Sequence, residues 1–550
     1  MVLNLQQSGN VVVTDYDVKR VTTLHDDYEV HTVRLTPLIG AASTMRFRLP
    51  VVRPDGTYLS NGTVCRMRKQ RGDIPIRKVA HDKVAMTSYY SKMFVVRSDK
   101  VVNSYERWIS KNFMILMGTP DCKEVHYKDC HVKDIDLPQA YFAISMVVES
   151  FIYKGTFFNF SYKNIETHFK DWQKVANAKD ELPIGKDDKG TLLTLSRTSG
   201  HAFKYYPGKA GQKEDLGPVE GLFGLDVAKK PYEVAELELF GKSIPLGIVI
   251  ARYIGMGTFL KTIGCSWRVS KKGGRLNAEP NETILRFSDE NLYVTCKTRL
   301  QTMLVNGFIR FERFTKHQSF YNFDKPDVYG NILDQVEITS RHTRELDMVR
   351  KLWIDPITKE ELERMGEPTD MVLLFLSAAK RLATNVYHDV MDMSQMRDRG
   401  YERFSGIAYN KMIESMRGFA IRPLNANAQV SMNPEDVWYS IIQDQTTMPV
   451  DQSNPIQDLK DAEVVVFGGA GGRSAQTMSA ETRRFHETAK GVISEGGVDN
   501  GDAGSITFLS ANPNYESVRG TTRRIKGDAA EPSRMVSTSF LLSPAAEFDD

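Results

Sequence analysis

Apolar and polar residues alternate along the first part of the chain, residues 10–150. β-branched and aromatic side chains are frequent there, and Gly, Pro and Asp separate the alternating segments. This pattern predicts β-strands joined by turns. The predicted strands lie within residues 11–18, 28–39, 44–52, 56–61 and 91–98.

Two tight turns are predicted in this part of the chain. In Arg53-Pro54-Asp55-Gly56, proline leads and glycine closes, which predicts a hairpin between residues 49–52 and residues 57–61. Asn61-Gly62 predicts a second tight turn directly after it.

Residues 151–345 mix strand, loop and helix patterns. Apolar positions at helical spacing predict an amphipathic helix over residues 165–178. Residues 237–264 predict a strand or turn that leads into a buried helix, and no Lys-Ser/Thr completes a nucleotide-binding loop there. The glycines of this segment therefore predict close packing; they are Gly247, Gly255 and Gly257.

Helical periodicity dominates residues 346–425. Residues 371–393 place apolar residues at i, i+3, i+4 and i+7 and lack Pro and Gly, which predicts one long buried helix with Asp370 as its N-cap. The methionines nearby are expected to fill gaps in the core; they are Met391, Met393, Met396, Met412 and Met416.

Two glycine clusters follow, Gly468 to Gly472 and Gly496 to Gly504. Both are too rich in glycine for the interior of a helix or strand, so each predicts a loop with unusual backbone freedom. Glycine loops beside arginines are typical of proteins whose backbone approaches a phosphate-bearing polymer, although a solvated surface charge is the alternative for each arginine. The segment between the clusters is basic, with Arg473, Arg483, Arg484, His486 and Lys490. Residues 505–515 then predict a strand.

The size of the chain, 550 residues, predicts several domains. With 41% hydrophobic and 26% charged residues it has the composition of a soluble globular protein, and its formal net charge of +3 requires any polyanion site to be local. The first residues show no basic region followed by an apolar core, and the longest apolar run, near residues 244–251, is too short to span a membrane. A cytoplasmic protein is predicted.

Metal binding receives little support from the sequence. The five cysteines include no CxxC pair, which favours a reducing compartment without disulfides. One metal-like cluster has a spacing that is not a usual zinc pattern, so a polar surface segment with chance cysteines is the alternative to a zinc-dependent enzyme. Its residues are Cys122, His126, Cys130 and His131.

The common catalytic motifs are absent. The sequence has no G-x-S-x-G, H-E-x-x-H or Walker sequence and no metal triad resembling D-F-D-G-D. Asp499 and Asp502 share a glycine loop but lack the frame of a calcium loop, so a turn held by side-chain to backbone hydrogen bonds is expected there.

One stretch resembles a known family. Asp451-Gln452-Ser453-Asn454-Pro455 is followed by the first glycine cluster, the basic segment with its histidine, and the second glycine cluster. In order and approximate spacing, this stretch resembles the fork region of the β subunit of multisubunit RNA polymerases.

Other stretches resemble the same subunit. Residues 397–420 are similar to one of its elements at Arg403, Ile407, Met412 and Arg417. Residues 49–71 are similar to its protrusion motif, with Tyr58 and Cys65 replacing Phe and an acid, and match it at Pro50, Gly56, Thr57, Asn61, Gly62 and Arg66. The final residues, 537–550, resemble a β-subunit run in which an apolar strand is followed by further chain, so a split gene is expected.

The resemblance implies an α+β multidomain fold. Its expected parts are the first part of the protrusion (1–150), an inserted lobe (151–345), the second, helical part of the protrusion (346–440), and the fork region with the start of the hybrid-binding domain (441–550). The last of these would continue on another chain. Split β-like chains are typical of the multisubunit RNA polymerases of giant (phiKZ-type) bacteriophages.

The implied function is that of the β N-terminal-half subunit of a DNA-dependent RNA polymerase, which forms one wall of the cleft. The active-site Mg²⁺ would be held by a partner chain, with no cofactor on this one. Expected partners are the β C-terminal half, the β′ N- and C-terminal halves, a promoter-specificity subunit, the DNA template and the RNA transcript. The expected location is the cytoplasm of the infected bacterium, with a phage-made compartment or the virion as alternatives. A non-catalytic nucleic-acid-binding or virion structural protein is the competing interpretation.

The resemblance also implies roles for individual residues, none of them catalytic. Asp451, Gln452 and Asn454 would line the RNA–DNA hybrid, and Asp499 and Asp502 would occupy an acidic and an amide position of the family. The fork loop would be formed by Gly469, Gly471, Gly472 and Arg473. Phosphate contacts are expected from Arg473, Arg483, Arg484 and His486, and nucleic-acid contacts from Arg66 and Arg71.

Two departures from the family lie in the pocket that binds rifamycin antibiotics in bacterial enzymes. Residues 462–466 replace a basic pair, and residues 496–500 replace an E-T-P-E-G element. An enzyme that contains this chain is therefore predicted to resist rifamycins.

Overall fold

The computed structural model describes residues 1–101, 122–127, 148–153, 156–159, 181–186, 192–196, 201–206, 212–218, 231–239, 241–271, 281–311, 315, 317–334, 338–384, 386, 388–421, 428–451, 453–474, 477–498, 500–523 and 531–543. These residues form a mixed α and β chain with several sheets.

The chain begins with an antiparallel meander. A 3-10 helix over Val2–Ser8 precedes three strands that pair in sequence order. Alternate residues of the second and third strands, such as Val33 and Phe47, are buried, as the alternating pattern predicts. The strands are β1 (Val11–Thr22), β2 (Asp27–Pro37) and β3 (Ser43–Pro50).

The turn at Asn61-Gly62 is confirmed, because both residues have positive φ angles, 48° and 76°, and join two paired strands. The hairpin predicted across Arg53 to Gly56 is wrong. A turn does form there, closed by a hydrogen bond from Gly56 N to Arg53 O, but it leads from one sheet into another. The second sheet contains β4 (Thr57–Ser60), β5 (Thr63–Met67) and β23 (Thr447–Pro449).

The middle of the chain adds three further sheets. A five-stranded sheet, in the order β18-β17-β9-β8-β7, joins β7 (Ile76–Ala80), β8 (Lys83–Thr87), β9 (Lys92–Val101), β17 (Pro231–Leu239) and β18 (Lys242–Pro245). A seven-stranded sheet pairs in sequence order β10 (Cys122–Tyr127), β11 (Val148–Tyr153), β12 (Thr156–Asn159), β13 (Glu181–Lys186), β14 (Leu192–Ser196), β15 (His201–Tyr205) and β16 (Lys213–Pro218). The third has the order β19-β21-β20, from β19 (Ser266–Lys271), β20 (Glu282–Arg286) and β21 (Glu290–Thr295). The helix predicted over residues 165–178 lies outside the described residues.

Helices pack beside these sheets. They account for much of residues 346–425, as predicted, but the described residues 388–400 are not α-helical and include a strand over Met396–Arg399. Gly247 packs closely, as predicted, since a Cβ there would lie 2.2 Å from the carbonyl oxygen of Leu304, whereas Gly257 makes only ordinary contacts. The helices are α1 (Leu246–Ile254), α2 (Met256–Thr262), α3 (Arg299–Val305), α4 (Pro326–Asp334), α5 (Ser340–Leu352), α6 (Pro356–Arg364), α7 (Met371–Ala383), α8 (Glu402–Ile421) and α9 (Asp436–Ile442). None of the described helices is long and apolar enough to cross a membrane.

Helix α7 is shorter than predicted. It ends at Ala383, because Thr384 has an extended backbone, and the residues described up to Met393 do not continue it. The methionine prediction is confirmed, since all five side chains are nearly inaccessible: Met391, Met393, Met396, Met412 and Met416.

Asp370 caps α7 as predicted, with its Oδ1 accepting hydrogen bonds from Val372 N at 2.9 Å and Leu373 N at 3.1 Å. We expect Asp370→Ala to destabilise this helix by about 1 kcal/mol, because two backbone donors lose their acceptor. Hydrogen exchange of the first-turn amides of α7 measures the effect. Lys380→Ala, at an exposed position of the same helix, should leave that exchange unchanged.

The last part of the chain has its own small core, which contains Phe467, Val465 and Ile493. The strand predicted over residues 505–515 is limited to β25 (Ile506–Phe508). The apolar strand expected within residues 537–550 is wrong for Thr538–Leu541, which is a short helix capped by the Ser537 side chain. The helix over Thr538–Leu541 is α12. The other elements of this last part of the chain are α10 (Pro455–Glu463), β24 (Val464–Val466) and α11 (Pro532–Met535).

Candidate nucleic-acid interface

A four-stranded sheet brings together segments that are far apart in the sequence. Its order is β22-β6-β24-β25, with β6 (Lys69–Asp73) and β22 (Met396–Arg399) beside the two strands of the last part of the chain. β24 runs parallel to β6, and the other pairs are antiparallel. The three stretches with family-like motifs therefore meet in one sheet.

The centre of this sheet is charged. Arg71 in β6 and Asp398 in β22 form a two-pronged ion pair, with distances of 2.9 Å for Nε–Oδ1 and 3.1 Å for Nη2–Oδ2. Their side chains are 1% and 0% exposed. Thr507 accepts a further hydrogen bond from Arg71, and the Tyr515 hydroxyl donates one to Asp398, so the pair has the extra partners that a buried ion pair needs.

The first glycine cluster forms a tightly held loop above the sheet. Gly469 and Gly471 have φ angles of 95° and 73°, which favour glycine strongly. Gln70 Nε2 donates to the carbonyl oxygens of Gly468 at 2.7 Å and Ala470 at 3.3 Å. The Arg399 guanidinium donates to the carbonyl oxygen of Gly471 at 2.9 Å. The glycines thus let the backbone approach polar side chains of the sheet.

A second buried ion pair holds the other side of this loop. Arg403 donates to both carboxylate oxygens of Asp444, at 2.9 Å and 3.0 Å, and both side chains are 2% exposed. Asp444 also accepts a hydrogen bond from Ala470 N at 3.0 Å. Burial alone would raise the pKa of Asp444, but Arg403 and these hydrogen bonds outweigh it and lower the pKa. The loop is therefore fixed to a charge that stays negative.

Arg473, at the end of the loop, points inward. Its Nη2 lies 3.0 Å from Asp73 Oδ1, and its guanidinium stacks over the Phe467 ring at 5.2 Å. Asp73 also pairs with Arg77 and Lys92. Burial would raise the pKa of Asp73, but these three cations outweigh it and hold the pKa below its usual range.

This depressed pKa predicts an acid-sensitive contribution to stability. Because the folded-state pKa of Asp73 lies below the unfolded value of about 3.9, the contribution is complete above that pH and is lost as the pH falls through the folded-state pKa. We expect Asp73→Asn to lower the free energy of unfolding by about 3 kcal/mol at neutral pH. Below about pH 4, the stability of the variant should fall less steeply with decreasing pH than that of the wild type. Acid unfolding of both proteins measures this difference. Asp15→Asn, a matched variant at a surface ion pair, should lose stability with falling pH as steeply as the wild type does.

Arg66 is also an internal residue. It donates to the carboxylate and the backbone carbonyl of Asp458 in α10, and its side chain is 7% exposed. The expectation that Arg66, Arg71 and Arg473 face nucleic acid is therefore corrected for this structure. Carboxylates already neutralise these guanidinium groups, which hold the sheet, the loop and α10 together.

The rest of the basic segment lies at the surface. Arg484 is 55% exposed and pairs with Asp389. Arg483 donates to the carbonyl oxygens of Gly501 at 2.6 Å and Met478 at 3.2 Å. His486 Nδ1 accepts from Thr488 N and caps a 3-10 turn over Glu487–Ala489. Arg484 is the most exposed of these three side chains, and the phosphate contacts expected here stay a prediction.

The second glycine cluster packs against this segment. Gly504 has a φ of 73°, and a Cβ there would lie 2.1 Å from the carbonyl oxygen of Arg483. Asn500 Oδ1 accepts from Asp502 N at 2.8 Å, so the turn expected at Asp502 is confirmed. Asp499 lies outside the described residues.

The residues expected to line the hybrid have local structural roles. Asp451 Oδ1 accepts from Ser453 N at 2.9 Å, and Asn454 caps α10 through Ile456 N at 3.1 Å. Hydrogen bonds from Ser453 lower the pKa of Asp451. Both side chains are exposed, so these roles leave them accessible, and Gln452 lies outside the described part of the chain.

A cavity of about 190 Å³ opens between the basic segment and the second glycine cluster. Phe467, Met391 and Met393 form much of its apolar lining. Arg484, Phe485 and His486 also line it. The site therefore combines an internal arginine framework with a basic surface beside an apolar recess.

Comparison with known families decides the broad class of the protein. The family model described as bacteriophage RNA polymerase matches residues 1–475. The chain belongs to this family. Its membership confirms the predictions of an RNA polymerase, a bacteriophage and transcription, and places the chain with the DNA-directed RNA polymerases, which are nucleotidyltransferases. A comparison with curated proteins gave no match.

In this bacteriophage RNA polymerase chain, the match includes the sheet strands β6, β22 and β24 and the glycine loop through Arg473. Residues 476–550, with the basic surface from Arg483 to His486, lie beyond it. The zinc candidates Cys130 and His131 are outside the described residues, as are the side chains of Cys122 and His126. Within the described residues, no group of three or more His, Cys, Asp or Glu could hold a metal ion.

The sequence analysis missed several residues that shape this candidate site. Asp398 and Arg399 are buried in β22, Asp444 anchors the glycine loop, and Phe485 lies exposed beside two arginines. The charged run at residues 397–399 was a usable signal, because it directly follows methionines that were expected in the core. Charged residues that continue a buried segment need partners of opposite charge inside the protein. Phe485 could have been noticed as the one aromatic residue in the basic segment.

Proposed function

We propose that the chain is the N-terminal half of a split β subunit of a multisubunit, DNA-dependent RNA polymerase of a giant bacteriophage. In this proposal it forms one wall of the cleft and positions the downstream DNA and the RNA–DNA hybrid. The observation that carries the proposal is the meeting of three family-like stretches, residues 49–71, 397–420 and 448–504, around one sheet and one glycine loop.

The contacts between these stretches are specific. Arg66 of the first stretch binds Asp458 of the third. Arg403 of the second stretch binds Asp444, which in turn holds Ala470 of the third. Arg71 of the first stretch and Asp398 of the second form a fully buried ion pair, which stretches that matched a family by chance would have no reason to share. Their convergence therefore supports a common origin for the whole arrangement.

The distribution of charge supports a role along a nucleic-acid path. Arg66, Arg71 and Arg473 are neutralised inside the protein, whereas Arg484 and Lys490 are exposed beside the glycine loops. Exposed cations that contact phosphates add affinity and salt dependence without much sequence preference. This is what the wall of a transcription cleft requires.

The remaining parts of the proposal rest on the resemblance. Residues 1–150 and 346–440 would form the protrusion, residues 151–345 the lobe and residues 441–550 the fork region. A β′-like partner chain would hold the Mg²⁺ ions of the active site, and the β C-terminal half would complete the hybrid-binding domain. A promoter-specificity subunit would join the assembly in the infected cell.

Affinity purification of the tagged chain from its native source tests this function. The proposal expects co-elution of a β C-terminal half and of β′ halves, and RNA synthesis by the mixture from a DNA template. A chain that elutes alone and still binds DNA would contradict it and favour the stand-alone nucleic-acid-binding or virion structural protein.

Rifamycin resistance is a further expectation for the same preparation. Residues 462–466 contain Glu463, whose carboxylate accepts hydrogen bonds from Thr538 N and Ser539 N of the capped helix α12. Gly496 of the second departure packs against the Phe540 ring of that helix. Because these two segments depart from the family at its rifamycin pocket, RNA synthesis should continue in submicromolar rifamycin. Its arrest at that concentration would show that the pocket has been retained.

A further inference from the structure

We infer that Phe485 is a stacking platform for an unpaired nucleobase, which enters the cavity beside it while Arg484 and His486 contact the adjoining phosphates. This role rests on the proposed function, because transcription supplies the single-stranded nucleic acid. The chain would then contact a base at this position, in addition to the phosphate backbone of the nucleic acid.

Phe485 is unusual among the phenylalanines that the structure describes. Its side chain is 51% exposed, although the neighbouring Phe467 is 1% exposed. No described residue places a ring or a cation against it. An aromatic face left open to water costs free energy, and burial of the face against a planar partner would recover it.

The charges beside Phe485 suit a phosphate backbone. Arg484 precedes it and is 55% exposed, and its pair with Asp389 is a surface pair that contributes little and can exchange for a phosphate. His486 follows it, and its Nε2 makes no hydrogen bond with a described residue. Arg483 and Arg484 line the same cavity, together with one carboxylate, that of Glu495.

The cavity fits one ring system. Its volume of about 190 Å³ is below the roughly 300–1,000 Å³ of pockets for drug-sized ligands. Apolar side chains of Phe467, Met391 and Met393 line it, which suits the face of a base better than a phosphate. Aromatic platforms flanked by cations are the common means by which proteins bind single-stranded nucleic acid without strong sequence preference.

Two parts of the protein fix the surroundings of Phe485: the arginines that contact Phe467, and the second glycine cluster. Arg71 and Arg473 lie on Phe467, with guanidinium carbons 5.8 Å and 5.2 Å from its ring centre. Gly504 permits the second glycine cluster to pack against Arg483, directly before the exposed pair Arg484 and Phe485. The cavity wall is therefore built from the same arginine framework that holds the glycine loop.

The test measures the affinity of the full chain for a fluorescent single-stranded oligodeoxynucleotide, by anisotropy at fixed salt. Phe485→Ala should weaken binding about 5- to 100-fold, the range for loss of one stacked base. Phe485→Leu should weaken it similarly, because it keeps an apolar side chain and removes the ring, whereas Phe485→Trp should retain affinity. An oligonucleotide with abasic positions should bind the wild type more weakly than the intact oligonucleotide does. Phe485→Ala should lower the affinity for the abasic oligonucleotide only slightly.

Three results would overturn the inference. One is unchanged affinity in Phe485→Ala, and another is full retention by Phe485→Leu. The third is loss of co-purifying chains from Phe485→Ala while DNA affinity stays normal, which would make the ring a protein contact. Failure of the proposed function is seen separately: a wild-type preparation without RNA synthesis refutes the polymerase role, whatever the effect of Phe485 on DNA binding.

Discussion

Asp398→Ala is expected to destabilise the four-stranded sheet by about 3–5 kcal/mol, because it breaks a buried ion pair by removing one partner. The carboxylate is fully buried and pairs with Arg71, which is itself 1% exposed. Its removal leaves a guanidinium in the interior without a counter-ion, and this costs more than the ion pair contributes. The Tyr515 hydroxyl also loses its acceptor.

Native-state hydrogen exchange of the amides in β6 and β22 measures this effect locally, which suits a chain too large for simple two-state unfolding. Asp15→Ala is the matched control, because its pair with Arg34 lies at the surface and should contribute less than about 1 kcal/mol. The double variant Arg71→Met/Asp398→Leu should recover part of the loss. A loss for Asp398→Ala no greater than for Asp15→Ala would mean that the buried pair does not exist in solution.

Gly472→Ala is expected to break the glycine loop. A Cβ at this position would lie 2.3 Å from the carbonyl oxygen of Phe467 and 2.5 Å from Gln70 Nε2. The backbone oxygen cannot move without releasing the hydrogen bond from Arg473 N to Phe467 O. Overpacking of this kind costs about 1–3 kcal/mol, and here the strain falls on the loop that the proposed function places beside nucleic acid.

We therefore expect Gly472→Ala to lower RNA synthesis by the purified complex at least tenfold while the complex still assembles. Gly501→Ala is the matched control, since a Cβ there meets no atom within 4 Å and the position lies in the other glycine cluster. Its activity should equal that of the wild type. Wild-type activity in both variants would show that the geometry of the first loop is irrelevant to transcription.

Local features were predictable from the sequence because neighbouring residues determine them. The turn at Asn61-Gly62 and the cap at Asp370 each depend on backbone preferences within a few positions. The burial of methionines such as Met412 follows from the apolar, flexible side chain itself. These predictions needed no knowledge of distant contacts.

Long-range pairing was not predictable in this way. The turn at Arg53 to Gly56 was found, but the strands on either side of it belong to different sheets: β3 pairs with β2, and β4 pairs with β5. Arg71 was expected at a surface, whereas its partner Asp398 lies 327 residues later and makes its burial possible. A charged residue can be assigned to the interior only when its counter-ion is known, and that counter-ion is set by the tertiary fold.

Photocrosslinking within a transcribing complex tests the central claim most directly. A photoreactive amino acid at position 497, which is open to solvent in the second glycine cluster, should label the DNA or the RNA once nucleoside triphosphates and template are supplied. The label should be absent without template. Label found only on protein, in a complex that is making RNA, would contradict the claim that this region lines the nucleic-acid path.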